Sequence, residues 1–380
     1  MKSIFFISLM NGSSWGGSEE LWYHTALYSA VRGYKIGCAV YCWEDKNEKI
    51  KKLEAAGCIV YRLPNKGRRK RSFYDNLQYK LLTPAHLKRF ILSLPINEYD
   101  LTVINQGGYE IISNPWKKFY KKPEHYALLF HNYRKEDTFK TKQKAILKAW
   151  ITKASCNLFA SDEIRKLMED QLQIKIATAI ILTNPITFDA PLHATPYPVL
   201  INKNYILVML AALDVKRKAQ DKLIQTLSSA KWKNRNWILY LYGEGEDKDL
   251  LKQLILSNGM QEKIFLKGYT TDVKKVLQNA HLLLQLTEMD AMPLSVVEAM
   301  AVWRPVIATA LGDIPAWLHN GKNGWISPDT SIENIDMTIE EAWQKREDWE
   351  EIGKVSFEVF RKKYPISPEE YFLHQLDITD

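Results

Sequence analysis

The sequence predicts an α/β protein made of two doubly wound domains, each a largely parallel sheet with helices on both faces. Three observations carry this. A chain of 380 residues is longer than one hydrophobic core usually organises. Short apolar runs alternate with helical patterns along most of its length. A proline-bearing stretch, "NPITFDAPLHATPYPVLINKN" (184–204), interrupts that rhythm once, and the alternation then restarts.

In the first half, "SIFFISL" reads as a strand, "GSEELWYHTALYSAVRG" as a helix closing on Gly33, and "KIGCAVYCW" as a second strand. "EKIKKLEAAG" is a helix with a glycine stop, and "CIVYRL" the next strand. "DLTVINQ", "HYALLFHN", "SCNLFAS" and "TAIILTNP" continue the series, with "KTKQKAILKAWITKA" among the helices between them. The strands lack polar alternation, which marks burial on both faces and hence a parallel sheet. After residue 204 the pattern repeats through "YILVMLAAL", "NWILYLYG", "KIFLKG", "HLLLQLT" and "RPVIATA", each pair separated by a helix. The expected organisation is an N-terminal domain over 1–190, a C-terminal domain over 200–362, and a helical tail over 363–380. The last segment, "SPEEYFLHQLD", could pack back on the first domain, a crossing that pattern alone does not derive. Two such domains facing each other leave a cleft at the carboxyl ends of their strands, where open α/β sheets bind ligands.

Apolar residues make up 46% of the chain and charged residues 25%, ordinary for a soluble globular protein and against disorder. The 12 Trp and 19 Tyr suit large cores, and also surfaces that stack on sugars or sit at lipid headgroups. The N-terminal apolar run is too short to span a membrane and lacks a cleavage site, so it reads as a buried first strand. Cys38, Cys42, Cys58 and Cys156 follow no zinc spacing and read as buried free thiols in a reducing compartment. The net charge of +8 is uneven. "RLPNKGRRKRSFYDNLQYK" (62–80) sets basic residues among aromatics, which suits phosphates on an anionic membrane or a pyrophosphate-linked acceptor; a solvated basic loop is the alternative. No nucleic-acid-binding module is recognisable, and nucleic acid ranks last among these partners.

The densest chemistry lies in "TEMDAMPLSVVEAMAVWRPVIAT" (287–309). A strand ends near Thr287, Asp290 lies in the loop, and Pro293 suits the first position of a helix because it needs no N–H. The N–H groups of Leu294, Ser295 and Val296 would then head the helix as an anion site. Glu298, one turn on, would point into the same cleft, where a carboxylate can hold a pair of sugar hydroxyls. A capping acid followed by an ordinary helical Glu is the plain alternative. Elsewhere, Gly16 and Gly17 after the first strand allow close backbone approach to a phosphate or acceptor. "DKD" (247–249) imitates a metal-binding pair but sits at a helix start, where acids favour the dipole, and reads as a cap. Nothing else assembles a metal site.

The run "DAMPLSVVEAMAVWRPVIAT", followed by "LGDIPAWLHNGKNGWISP", resembles the signature of the retaining GT-B glycosyltransferases of glycosyltransferase family 4, and the likeness extends over nearly the whole chain. It implies that Asp290, with the amides of Ala291, Met292, Leu294 and Ser295, holds a donor sugar, and that Glu298 holds the nucleotide's ribose. The family usually has Glu where Asp290 stands, so this carboxylate sits one methylene further back. "AALDVKRKAQDKLI" resembles the family's phosphate segment: Lys218 matches its Lys and Asp221 its helix acid, whereas Ala212 stands where the family has Arg. Lys216 or Arg217 is the substitute source of charge. His131 in "LLFHNY" fits the family's His at the donor sugar or reaction centre, with a structural His as the alternative. The Gly16–Gly17 turn fits the glycine loop before the first helix, where Glu19 or Glu20 follows. Gly243 and Gly268 fit loops lining the nucleotide pocket, Gly312 and Asp313 the loop beside the donor, and Asn184 the residue before the interdomain connection.

The resemblance thus implies a cytoplasmic enzyme that moves a sugar from a nucleotide-diphosphate donor to a glycan or lipid-linked acceptor, with retention and without a metal cofactor. Docking on the inner face of the membrane through 62–80 goes with it, in a polysaccharide or glycolipid pathway. Ala212 and Asp290 motivate two competing readings: a noncatalytic sugar-nucleotide-binding subunit, and a GT-B epimerase or hydrolase. The first predicts binding without turnover, the second turnover without an acceptor.

Overall fold

The computed structural model describes residues 2–10, 15–41, 48–63, 88–113, 116, 123–133, 137–191, 195–365 and 367–376. Cys42 and most of the basic stretch (64–80) lie outside these. The chain divides into two compact units, Met1–Pro185 with Ile366–Asp380, and Ile186–Pro365.

The first unit is built on seven parallel strands: β1 (Ser3–Ser8), β2 (Lys35–Tyr41), β3 (Ile59–Leu63), β4 (Leu101–Gln106), β5 (Tyr126–Phe130), β6 (Cys156–Phe159) and β7 (Ala179–Ile181). Their order across the sheet is β3-β2-β1-β4-β5-β6-β7. Every residue of β1, β4 and β5 is buried, as the unbroken apolar runs require of strands covered on both faces. β1 pairs with both β2 and β4, so the winding direction reverses between β1 and β4. In such a sheet the loops at the reversal diverge and leave a ligand crevice.

The second unit repeats the plan with β8 (Tyr205–Leu210), β9 (Trp237–Tyr242), β10 (Ile264–Gly268), β11 (Leu282–Gln285), β12 (Val306–Thr309) and β13 (Trp325–Ser327). Their order is β10-β9-β8-β11-β12-β13, again all parallel, with the reversal between β8 and β11. Alternate strand residues feed two cores: Leu207, Leu239, Leu282 and Ile307 on one face, Ile206, Val208, Leu283 and Val306 on the other. Many indoles are core fillers. Trp232, Trp237 and Trp349 are fully buried, and each donates its N–H, to Asp336, the Trp232 carbonyl and the Ala342 carbonyl respectively.

The proline-bearing stretch that reads as a connection is bound into the second unit. Ile186 is buried in its core and donates its N–H to Tyr364 Oη at 2.8 Å. Arg304, completely buried, donates to the carbonyls of Pro196, Gln278 and Leu277 at 2.8, 2.8 and 3.0 Å. Burial pushes its pKa down to about 10, and the carbonyls stand in for water.

The helix Pro368–Gln375 packs on the helix Glu20–Val31 within the first unit. Phe372, Leu373 and Leu376 join Trp22, Ala26 and Val103 in one core. Cys38, Cys58 and Cys156 are buried free thiols. Among the described residues, no helix is long and apolar enough to cross a membrane. The Phe372 ring is fully buried. Phe372→Ala is therefore expected to cost the first unit roughly 3–5 kcal/mol. Urea unfolding checks this: its transition moves to lower denaturant while that of the second unit stays in place.

Candidate active site

In the second unit the singled-out residues fall beyond the carboxyl ends of successive strands: Ala212 to Lys218 after β8, Gly243 after β9, Gly268 closing β10, Asp290 after β11 and Gly312 after β12. Asp214 caps the short helix Val215–Lys218, its carboxylate accepting the Arg217 N–H. Lys218, the last residue of that turn, places Nζ 2.6 Å from Asp290 Oδ2, and both side chains keep some exposure. Residues 72 apart in sequence thus meet at the point where the strand order reverses.

The pair is held from the backbone. The Arg217 carbonyl accepts from the Glu288 N–H at 2.9 Å and the Thr287 hydroxyl at 2.7 Å, and Thr287 N–H donates to Thr309 Oγ1 at 2.9 Å. The chain can turn straight from this helix into the next because Ala219 adopts φ +49. The Arg217 guanidinium is exposed and lies 2.7 Å from Asp214. Ala212 is also exposed, and its carbonyl takes the Gln220 side-chain N–H at 2.7 Å.

Glycines let neighbouring loops touch backbone to backbone. A Cβ on Gly312 would sit 1.6 Å from the Ala291 carbonyl oxygen, and φ there is +55. Asp313 N–H donates to that same oxygen at 2.9 Å, which ties the loop after β12 to the Asp290 loop. Gly243 and Gly245 lie against the carbonyls of Ala211 and Leu213 in the same way, and Gly243 N–H donates to the Gly268 carbonyl.

The helix beyond Asp290 runs Leu294–Ala301, and Pro293 is its N-cap rather than its first residue. Val296 N–H is taken by the Pro293 carbonyl at 3.1 Å, so Leu294 and Ser295, not Val296, head the helix. The proline's extended ψ of 123 produces the shift. Met292 packs at the edge of the core, and Ser295 Oγ donates to Gln285 at 2.9 Å. Glu298 is buried, and its Oε1 accepts both donors of Thr187, N–H at 3.0 Å and hydroxyl at 2.6 Å. This carboxylate therefore braces the start of the unit, a role its position in the motif does not disclose. Asp247 caps no N–H of its own helix; Oδ2 accepts the Val215 N–H at 2.8 Å and joins the loops after β9 and β8.

The first unit carries a second polar cluster, at the carboxyl ends of β1, β4 and β5. His131 directly follows β5, and its N–H and that of Asn132 both donate to the Gly107 carbonyl, at 2.8 and 2.7 Å. Its Nε2 lies 2.7 Å from Asn105 Oδ1. Asn105 Nδ2 in turn donates to Glu19 Oε1 at 2.7 Å, and Trp22 Nε1 donates to Glu19 Oε2 at 2.9 Å. Burial holds the His131 pKa down at about 3, so the ring is neutral. Burial raises Glu19 to about 7, with the neighbouring Glu20 adding to it, against hydrogen bonds from Ser8, Trp22 and Asn105. At Glu20 burial would raise the pKa too, but hydrogen bonds from His24 and Lys49 outweigh it and hold the group low. Gly16 is extended, its carbonyl accepting the Glu19 N–H at 2.9 Å, and Gly17 is open to solvent. Sequence reasoning passed over Asn105. Its signal was a polar pair, Asn105–Gln106, closing an otherwise apolar strand.

Residues 198–357 match the family model described as Glycosyl transferases group 1. The second unit carries a glycosyl transferases group 1 domain. Over 122 residues the chain is 30% identical to the poly(ribitol-phosphate) alpha-N-acetylglucosaminyltransferase of Staphylococcus aureus, covering 32% of this chain and 25% of that protein. Over 215 residues it is 22% identical to the poly(glycerol-phosphate) alpha-glucosyltransferase of Bacillus subtilis, covering 54% of this chain and 31% of that one. The chain thus spans only a quarter to a third of the length of these relatives. Among solved structures, Anabaena HepE in complex with UDP matches the whole of both chains at TM-score 0.75 and 16% identity, which establishes a shared fold. The group 1 domain contains Lys218, Asp290 and Glu298; the Glu19–Asn105–His131 cluster lies outside it.

Two outcomes follow from this geometry. Gly312→Ala should destabilise the second unit by about 2–4 kcal/mol, through the left-handed backbone and the collision with Ala291, read as a lowered urea midpoint. Glu19 keeps in the folded state a proton that the unfolded chain releases above the ordinary carboxylate range. Its contribution to stability is therefore full below pH 4.5 and is lost as pH rises toward about 7. Glu19→Gln should remove roughly 3 kcal/mol of that decline, measured as the difference between wild-type and variant unfolding free energies at pH 4.5 and pH 8.

Proposed function

We propose that this chain is a glycosyltransferase that moves a sugar from a nucleotide-diphosphate sugar to an acceptor hydroxyl with retention of anomeric configuration. The observation that carries the reading is the Lys218–Asp290 pair at the strand-order reversal of a group 1 domain. A carboxylate and an ammonium side by side suit a ligand that presents hydroxyls on one side and phosphates on the other. In this reading Asp290 accepts from hydroxyls of the donor sugar, and Lys218 turns to the diphosphate. Negative charge grows on that diphosphate as the glycosidic bond breaks. A fixed cation and the Leu294 and Ser295 N–H groups lower the cost of that charge most in the transition state. Lys218 does this without a metal ion. Glu298 holds the ribose while keeping one oxygen on Thr187.

Retention fits relatives named as alpha-transferases, because an α product from an α-linked donor keeps its configuration. No protein nucleophile is assigned, and the departing phosphate takes the acceptor proton. The acceptor is a surface-polymer or lipid-linked glycan hydroxyl, in line with relatives named for polyol-phosphate polymers. Reaction on the cytoplasmic face of the membrane, with 62–80 docking on anionic lipid, belongs to the same reading. The exposed Ala212 and the engagement of Arg217 with Asp214 favour one competitor, a subunit that binds nucleotide sugar without turnover.

A thermal-shift titration tests the reading. One of UDP, GDP or ADP, at a hundred times its dissociation constant, should add about 2.7 kcal/mol of stability. Lys218→Ala should abolish the response, and Glu298→Gln should weaken binding by roughly 1–3 kcal/mol. Sugar release to an acceptor should persist in EDTA. A wild-type protein that responds to none of the nucleotides removes the donor site, and binding with no turnover on any acceptor favours the subunit.

A further inference from the structure

The buried chain of hydrogen bonds in the first unit specifies more than a well-packed histidine. Glu19 accepts from two fixed donors, Trp22 Nε1 and Asn105 Nδ2. An Asn amide that turns its NH2 group toward a carboxylate must turn its oxygen the other way, and here that oxygen faces His131 Nε2 at 2.7 Å. A carbonyl oxygen can only accept, so Nε2 must carry the proton. The ring is neutral, and its other nitrogen is then bare. That nitrogen, His131 Nδ1, is buried and has no hydrogen-bond partner among the described residues. An unpaired buried acceptor is costly, and a ligand hydroxyl is a group that can supply the missing donor.

We infer that Glu19 and Asn105 are positioning residues that lock His131 in its Nε2–H form, so that Nδ1 serves as the hydrogen-bond acceptor for a substrate hydroxyl. The consequence is a division of labour. His131 orients a hydroxyl but does not take its proton, since an imidazole held neutral by burial is a weak base. The backbone supports the same assignment, because the Gly107 carbonyl holds both His131 and Asn132, which fixes the ring's starting point. A Cβ on Gly108 would fall 2.0 Å from the Asn132 carbonyl, so glycine is what lets this turn lie against the residue after the histidine.

The inference rests on the glycosyl-transfer reading for the identity of the hydroxyl, but the tautomer can be measured without turnover. Nitrogen-15 spectra of histidine-labelled protein, with His131 assigned by its loss in His131→Gln, should show a protonated Nε2 and a bare Nδ1. Asn105→Leu removes the acceptor and should let the proton distribute over both nitrogens. Asn105→Asp still offers an oxygen to Nε2 and should keep the proton there. Glu19→Gln can satisfy only one of Asn105 and Trp22 with its single oxygen, and should give a mixture; it carries the comparison if Asn105→Leu does not fold. With an active acceptor, Asn105→Leu should lower kcat/KM about tenfold, the loss expected from one hydrogen bond, with partial rescue in Asn105→Asp. A wild-type ring protonated at Nδ1, or an Nε2–H form unchanged in both Asn105→Leu and Glu19→Gln, overturns the proposal. A correct tautomer in a protein that binds no nucleotide would instead sink the transfer reading and leave the positioning chain standing.

Discussion

The candidate site depends on backbone touching backbone. Loops leaving five neighbouring parallel strands all emerge at one edge of the second sheet, where side chains would hold them apart. At Gly243, Gly245 and Gly312 the missing Cβ lets one loop lie directly on the carbonyl of another. This contact brings the Asp290 loop against the segment after β12, and the turn at Lys218 against the loops after β9 and β11. The ion pair is then a product of the loop stack rather than its cause. The geometry of this partly buried pair is set by the backbone contacts around it.

Around that stack, several charged groups removed from water wholly or in part are answered by the backbone. Arg304 is surrounded by carbonyls, Glu298 by an amide and a hydroxyl from one threonine, and Asp247 by an amide of the neighbouring loop. Each of these groups joins segments far apart in sequence. At Glu19 burial outweighs the hydrogen bonds from Ser8, Trp22 and Asn105, and its pKa is raised.

Much of the fold was legible because parallel strands buried on both faces leave uninterrupted apolar runs, and some of the helices between them are followed by a glycine, as at Gly33, Gly57 and Gly259. Asp290 stood out by its place between a strand and a helix and Lys218 through the family resemblance, and the topology brings them together. What escaped was of another kind. Nothing local shows that Glu298 faces Thr187, or that Asp247 serves another loop instead of its own helix, since both depend on partners more than 30 residues away. Pro293 misled by one position, because an N-cap and a first helical residue look alike in sequence. The segment around Pro196 reads as a linker by composition, and only the buried Arg304 reveals it as part of the second unit.

The helix Pro368–Gln375 has a consequence for how the protein is made. Phe372, Leu373 and Leu376 complete a core whose other buried members were synthesised before residue 183. A ribosome therefore releases the whole second unit, Ile186–Pro365, before the first unit can close. Domains normally fold in order of synthesis, N-terminal first. Here that order is inverted, and the first sheet waits with part of its apolar surface uncovered until this helix arrives. Chaperone demand during translation should fall on the first sheet, and premature termination just short of residue 368 would leave a finished second unit attached to an open first one.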